Sequence, residues 1–427
     1  MRDKRIVLCF LLLALFLVAF SPALADDASS RRLSPRDAFG PMRREDASDG
    51  EIRVLSNTYE ADFPNKVTFR LIAESEEGIE EITLFYRIRV EPITTNRAYP
   101  DFSPGERVEV EQEWDVRRYY IPPGVEVEYY WRIKDGAGHE LETEPVSFTY
   151  TDTRFDWREL SSDRVILYWY QGDDEFGQAL FAKALEAVER LSEETGVTVE
   201  RAVKIFIYGS HGDLLGALEE GAQEWTGGVS FSEYGIVLIG VSPGNLAWGE
   251  RAVAHELSHA ILHKATENPF SDLPRWLDEG LAMRAEGELE PSYVNSLNRA
   301  IETNSLISVR SVSSTFPADA DLAHLCYAES YSLVEFILDH YGQGAMRKLI
   351  SIFAEGAYYD DALKEALGVD TDGLEDGWRE AIGAPPRGAV VVTPTAEERP
   401  SGRGVCCLPL ASLIIVGILY AIKLWAS

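Results

Sequence analysis

The sequence predicts a multidomain chain: an N-terminal all-β, immunoglobulin-like sandwich, then an α+β domain built round one helix, then a single C-terminal transmembrane helix. Apolar and polar residues alternate across residues 50–153, the period-two pattern of half-buried strands. Beyond residue 155 the apolar period lengthens, and one helical run contains His255-Glu256-Leu257-Ser258-His259. Near the end, residues 405–422 are apolar and uncharged. At 1.5 Å per residue such a helix extends roughly 27 Å, about the depth of a bilayer core.

Taken in order, residues 1–25 read as a signal peptide. Arg2, Lys4 and Arg5 precede an apolar stretch, and Ala23-Leu24-Ala25 is a small-x-small cleavage site. Residues 26–49 are charged, Ser-rich and interrupted by Pro35 and Pro41, the composition of a disordered linker. Within 50–153, alternation predicts strands over 67–73, 82–90, 108–116, 125–133 and 146–150, with a turn at Asp135-Gly136-Ala137-Gly138. This sandwich has no catalytic constellation. Its expected role is spacing, or recognition of a surface partner.

Residues 155–384 alternate strands and helices. Strands are expected at 165–170, 203–208, 226–231 and 236–241, and helices at 174–195, 213–218 and 245–264. A helical tail follows at 291–303, 321–341, 345–354, 362–367 and 374–382. Residues 385–404 form a Pro-, Gly- and Thr-rich linker. A transmembrane helix over 405–423 ends at Lys423 and Trp425, which suit a membrane interface. Export followed by this anchor places the bulk of the chain at the outer face of the cell membrane.

The 427 residues carry a formal charge of −31. That weighs against nucleic acid as a partner and suits a soluble exterior. Of four cysteines, Cys9 lies in the signal, and Cys406 and Cys407 abut the apolar run. Cys326 stands alone in the folded part, so no disulfide framework is available, and a buried structural thiol is the expected state.

Helix positions four apart lie on one face. His255 and His259 can therefore grip one Zn²⁺ from the same side. Glu256, beside the first ligand, can deprotonate a water whose pKa the ion lowers. A third ligand is available in Pro274-Arg275-Trp276-Leu277-Asp278-Glu279-Gly280. Pro274 suits a first helical turn, Ser271 or Asp272 can cap it, and Glu279 sits one turn in. Gly280 is expected to let this helix approach the metal helix. Two histidines, one glutamate and an open fourth position make a catalytic zinc set. A metzincin would need Gly and His where Leu262 and Ala265 stand. His263 is expected on the helix surface.

H-E-L-S-H followed by W-L-D-E-G-L-A resembles the gluzincins of the peptidase MA clan. These include aminopeptidase N-type enzymes and the smaller peptidase MA-like domains of bacterial surface proteins. The resemblance implies a zincin-like fold over 155–384, with one Zn²⁺ per chain on His255, His259 and Glu279 and Glu256 as general base. In Cys326-Tyr327-Ala328-Glu329-Ser330-Tyr331, Tyr327 matches the family tyrosine that stabilises the oxyanion, with Tyr331 in reserve. Aminopeptidase N-type enzymes also have a G-x-M-E-N strand upstream. Here Thr226-Gly227-Gly228-Val229-Ser230-Phe231 puts Gly227 and Gly228 in place for backbone pairing with substrate, but Ser230 where the amine-binding glutamate would be. The expected activity is thus a membrane-anchored extracytoplasmic zinc metallopeptidase acting on peptides or proteins, endopeptidase rather than aminopeptidase, with Glu233 a displaced substitute if an amine is bound. The alternatives are a zincin-fold surface binding or adhesion protein with weak or lost catalysis, and a non-peptidase zinc hydrolase.

Overall fold

A computed structural model of the chain describes residues 31–32, 52–90, 93–218 and 227–388. The expected signal peptide, the C-terminal linker and the transmembrane helix lie outside the described residues, as do Thr226 and all of the N-terminal linker but its backbone at 31–32. Among the described residues, no helix is long and apolar enough to cross a membrane.

The N-terminal region is a β-sandwich organised by one long strand. In chain order, β1 (Arg31–Arg32) belongs to the second sheet described below. β2 (Arg53–Asp62), β3 (Lys66–Ile88), β4 (Thr95–Ala98), β5 (Gly105–Asp115), β6 (Val125–Asp135), β7 (Glu140–Glu142) and β8 (Val146–Tyr150) form the sandwich. The first half of β3 pairs with β2 and β5, and its second half with β4 and β6. The register slips between Glu74 and Ile79. One strand thereby runs through both halves of a single seven-stranded sheet, where the sequence pattern predicts two strands over 67–73 and 82–90. Alternation puts Val67, Phe69, Leu71 and Ala73 inside, against Tyr129, Trp131 and Phe148. Phe69 and Tyr129 meet with ring centroids 4.7 Å apart.

The second sheet combines β1 with β9 (Arg158–Ser161), β10 (Val165–Trp169), β11 (Val203–Tyr208), β12 (Gly228–Phe231) and β13 (Ile236–Gly240). Among the described residues the order is β1-β9-β10-β11-β13-β12. β10, β11 and β13 are parallel, and β12 closes one edge antiparallel to β13. The central strands are apolar at nearly every position because both faces are covered. Leu167, Trp169, Ile205, Ile207, Val237 and Ile239 face α1 (Asp174–Thr195) and α3 (Leu246–Ala265). Tyr168, Phe206, Tyr208, Ile236 and Leu238 face the sandwich and α2 (His211–Leu215). The expected boundary at 153–155 is therefore crossed by a shared core. Trp157 stands edge-on to Phe206, Tyr208 and Tyr170. The Tyr208 hydroxyl donates to buried Asp152 (3.0 Å), and Lys204 Nζ donates to the Gly124 carbonyl (2.8 Å).

The rest is helical: α4 (Arg275–Glu286), α5 (Pro291–Thr303), α6 (Val309–Val312), α7 (Ala320–His340), α8 (Gly342–Ala354), α9 (Tyr359–Leu367) and α10 (Thr371–Ala381). Asp173 caps α1 by accepting from the Phe176 amide, and Gly196 ends it in the left-handed conformation. Two expectations about α4 are corrected. Its N-cap is Pro274, with no side-chain cap from Ser271 or Asp272; Asn268 orders that loop instead, accepting from the amides of Phe270 and Ser271. A Cβ on Gly280 would lie 2.4 Å from the Ser330 carbonyl oxygen of α7, so the close approach is to α7 rather than to the metal helix.

Candidate active site

Three lone-pair atoms converge where α3 and α4 cross. His255 Nε2 and His259 Nε2 are 3.1 Å apart, and Glu279 Oε2 is 3.2 Å from the first and 3.4 Å from the second. Ligands held at zinc distances in a tetrahedral arrangement stand about 3.3 Å apart, so the triangle fits that ion. The far side of each ring is fixed. His255 Nδ1 lies 2.8 Å from Glu286 Oε1, and His259 Nδ1 lies 2.8 Å from Asp278 Oδ1. A carboxylate only accepts, which puts a proton on each Nδ1 and turns each Nε2 lone pair inward. Arg275 donates to Glu279 Oε1 (2.6 Å). Glu279 Oε2 is left buried without a hydrogen-bond partner, an arrangement that a cation resolves and that is costly otherwise.

The electrostatics agree. Burial opposes charge on His255, but the neighbouring carboxylates of Glu279 and Glu286 outweigh it and raise the imidazole to about 9. His259 is raised well above its ordinary value, Asp278 and Glu279 again outweighing burial. Burial disfavours the Glu279 carboxylate, yet the two imidazoles hold it down at about 2. The cluster is built to hold positive charge. Two Nε2–H groups 3.1 Å apart would repel, whereas one dication satisfies all three atoms.

The other expected residues fall around this centre. Glu256 lies against the start of β12: a Cβ on Gly228 would sit 2.7 Å from Glu256 Cγ and 3.0 Å from Oε1. Any larger residue at 228 would have to displace the Glu256 side chain. At Gly227 a Cβ would be 3.1 Å from the Trp248 ring. Tyr327, on α7, has its ring centroid 6.4 Å from that of His255, and Phe316 stands edge-on to it at 5.2 Å. Burial pushes the Tyr327 hydroxyl up to about 12, the Glu279 charge adding and Arg275 opposing, so it stays a proton donor. Tyr331 is not part of the site; it lies under Arg284, which pairs with Glu194 and Glu335. His263, half-exposed on α3, lies 3.0 Å from Asp278 Oδ2. Cys326 is buried, its thiol pushed up to about 11 by burial and by Glu329.

The sequence reading missed Arg275, Asp278 and Glu286. Asp278 precedes the ligand Glu279, and Glu286 follows it by two helical turns on the same face, so a search for carboxylates behind the histidines would have found both.

Comparison with known proteins bears on the helical half. Residues 183–384 match the Peptidase MA superfamily. No curated protein matches the chain. A variant of an M1 zinc metallopeptidase from Deinococcus radiodurans is 13% identical, covering 75% of this chain and 91% of its own, with a TM-score of 0.35. A family 56 carbohydrate-binding module, a β-1,3-glucan binding domain, is 16% identical over 23% of this chain and 98% of its own, with a TM-score of 0.15. Inactive OgpA from Akkermansia muciniphila, solved with an O-glycopeptide, is 7% identical over 24% of this chain and 29% of its own, with a TM-score of 0.19. At those scores the three structures assign nothing to this chain, whereas the family match coincides with the site: residues 183–384 are a gluzincin-like domain of the peptidase MA superfamily.

Proposed function

We propose that the protein is a zinc endopeptidase, exported and held at the outer face of the cell membrane by the apolar segment 405–422. The observation that carries the peptidase reading is the inward-facing triangle of His255, His259 and Glu279, with Glu256 and Tyr327 beside it. Bound to those three atoms, zinc would supply Lewis acidity and a lowered pKa for water. Glu256 takes the proton of the attacking water and returns it to the leaving amine. The Tyr327 hydroxyl donates to the carbonyl oxygen as negative charge grows there. Among the described residues β12 is the edge strand of its sheet, and Gly228 at its start with Gly227 just before it offers backbone for pairing with a substrate strand. Ser230, in place of a glutamate, supports cleavage that does not require a free amino terminus.

The test is bound zinc and cleavage of an unstructured protein by the full chain, beside Glu256→Gln. The variant is expected to keep one zinc per chain and to lose turnover. Unchanged hydrolysis by the variant would refute Glu256 as base, and absence of bound zinc would refute the metal site. Cleavage restricted to peptides with a free amine would replace endopeptidase by aminopeptidase.

A further inference from the structure

Beside the metal site lies a cavity of about 1150 Å³ whose placement follows from the course of β12. The strand starts at Gly228, against Glu256, and Gly227 just before it lies against Trp248. It ends at Phe231, and the turn that follows carries Ser232 and Glu233, which line the cavity together with His263. The edge strand thus runs alongside α3, and the turn after it opens into the cavity at the helix's C-terminal end. Arg275 and Asp278, which touch Glu279 and His259, form part of its wall. A peptide paired with β12 and centred on Glu256 must direct one arm into this space.

The wall's charges are mostly committed. Arg275 pairs with Glu279, Arg310 with Asp360 and Asp372, Glu267 with Lys264, and Asp278 with the two histidines. Glu233 and Asp272 also line the cavity, and both are exposed. Neither makes an ion pair among the described residues. Tyr358, 76% exposed, offers an aromatic face in the same cavity. Two carboxylates and an aromatic ring suit an ammonium or guanidinium group.

We propose that this cavity receives a basic side chain, lysine or arginine, of the polypeptide substrate. Glu233 and Asp272 supply the counter-charge. From Gly228 to the strand's end at Phe231 at about 3.3 Å per residue, with Glu233 in the turn just beyond, and allowing for long side chains at both ends, the basic residue falls about two to four positions from the scissile bond, on one side only. This rests on the peptidase reading above.

The experiment is digestion of denatured casein by the zinc-loaded full chain, with every cut mapped by mass spectrometry, beside the double variant Glu233→Gln, Asp272→Asn. Both residues are exposed and unpaired by charge, so the variant is expected to fold. Lysine and arginine should be enriched about tenfold at one such position in the wild type and fall to background in the variant. Cuts without that enrichment, or enrichment that survives in the variant, overturn the subsite and leave the peptidase standing. Release of N-terminal residues alone would assign Glu233 to a free amine and overturn the side-chain reading. A zinc-loaded chain that makes no cuts overturns the peptidase and the subsite together.

Discussion

Asp278 touches both His259 and His263, so one carboxylate sets a ligand's ring angle and ties it to the helix surface. Replacing it with asparagine removes the charge that fixes the His259 tautomer. Zinc affinity is expected to fall about 10–100-fold, read by competition with a chelator while circular dichroism stays unchanged. Tyr327→Phe removes only a hydroxyl. It should lower kcat by about 10²–10³ with KM little altered, and a wild-type kcat would remove Tyr327 from the mechanism. His255, Glu256, His259 and Glu279 were legible in the sequence because helical period and motif spacing fix them locally. Arg275 and Glu286 were not: what each touches depends on how α4 lies across α3, which no local pattern states.

At the scale of elements, α4 is the piece that must sit correctly, since it brings Glu279 to the histidines. It is seated by Gly280 on the backbone of α7, which carries Tyr327. Gly280→Ala would drive a methyl into the Ser330 carbonyl and push the two helices apart. We expect a loss of about 1–3 kcal/mol or more in stability, seen as a lower denaturation midpoint, together with weakened zinc binding. An unaltered midpoint would show that the contact gives way freely. Long amphipathic elements were readable: α1 and α5 span 174–195 and 291–303, as their periodicity predicts. β2 went unread because its residues are mostly half-buried and show no clean alternation. β9 and α6, four residues each, are too short to carry a period. β3 read as two strands because its alternation breaks at the bulge between Glu74 and Ile79.

At the scale of the molecule, the sandwich and the second sheet share one apolar core. Phe206, Tyr208, Ile236 and Leu238 of the second sheet are at most 1% exposed, and they belong to the sandwich's own apolar cluster. Burying each such side chain contributes about 1.5–3 kcal/mol. A chain beginning at residue 154 would expose that face. It is expected to be insoluble, or to bind a hydrophobic dye without a cooperative melt. A soluble 154–388 fragment with a sharp transition and bound zinc would show that the two parts are separable. This union was not legible because periodicity reports that a strand has two apolar faces, but not what covers the second.

The contact between Gly228 and Glu256 has a mechanical consequence. Among the described residues β12 is an edge strand, and the strand proposed to take the substrate chain is also the backstop for the proposed base. A guest that seats in register presses on the same few atoms that set where the carboxylate stands, and one that seats a residue out of step presses elsewhere. The edge then acts as a gauge as well as a rail: alignment of the guest and alignment of the base are one adjustment.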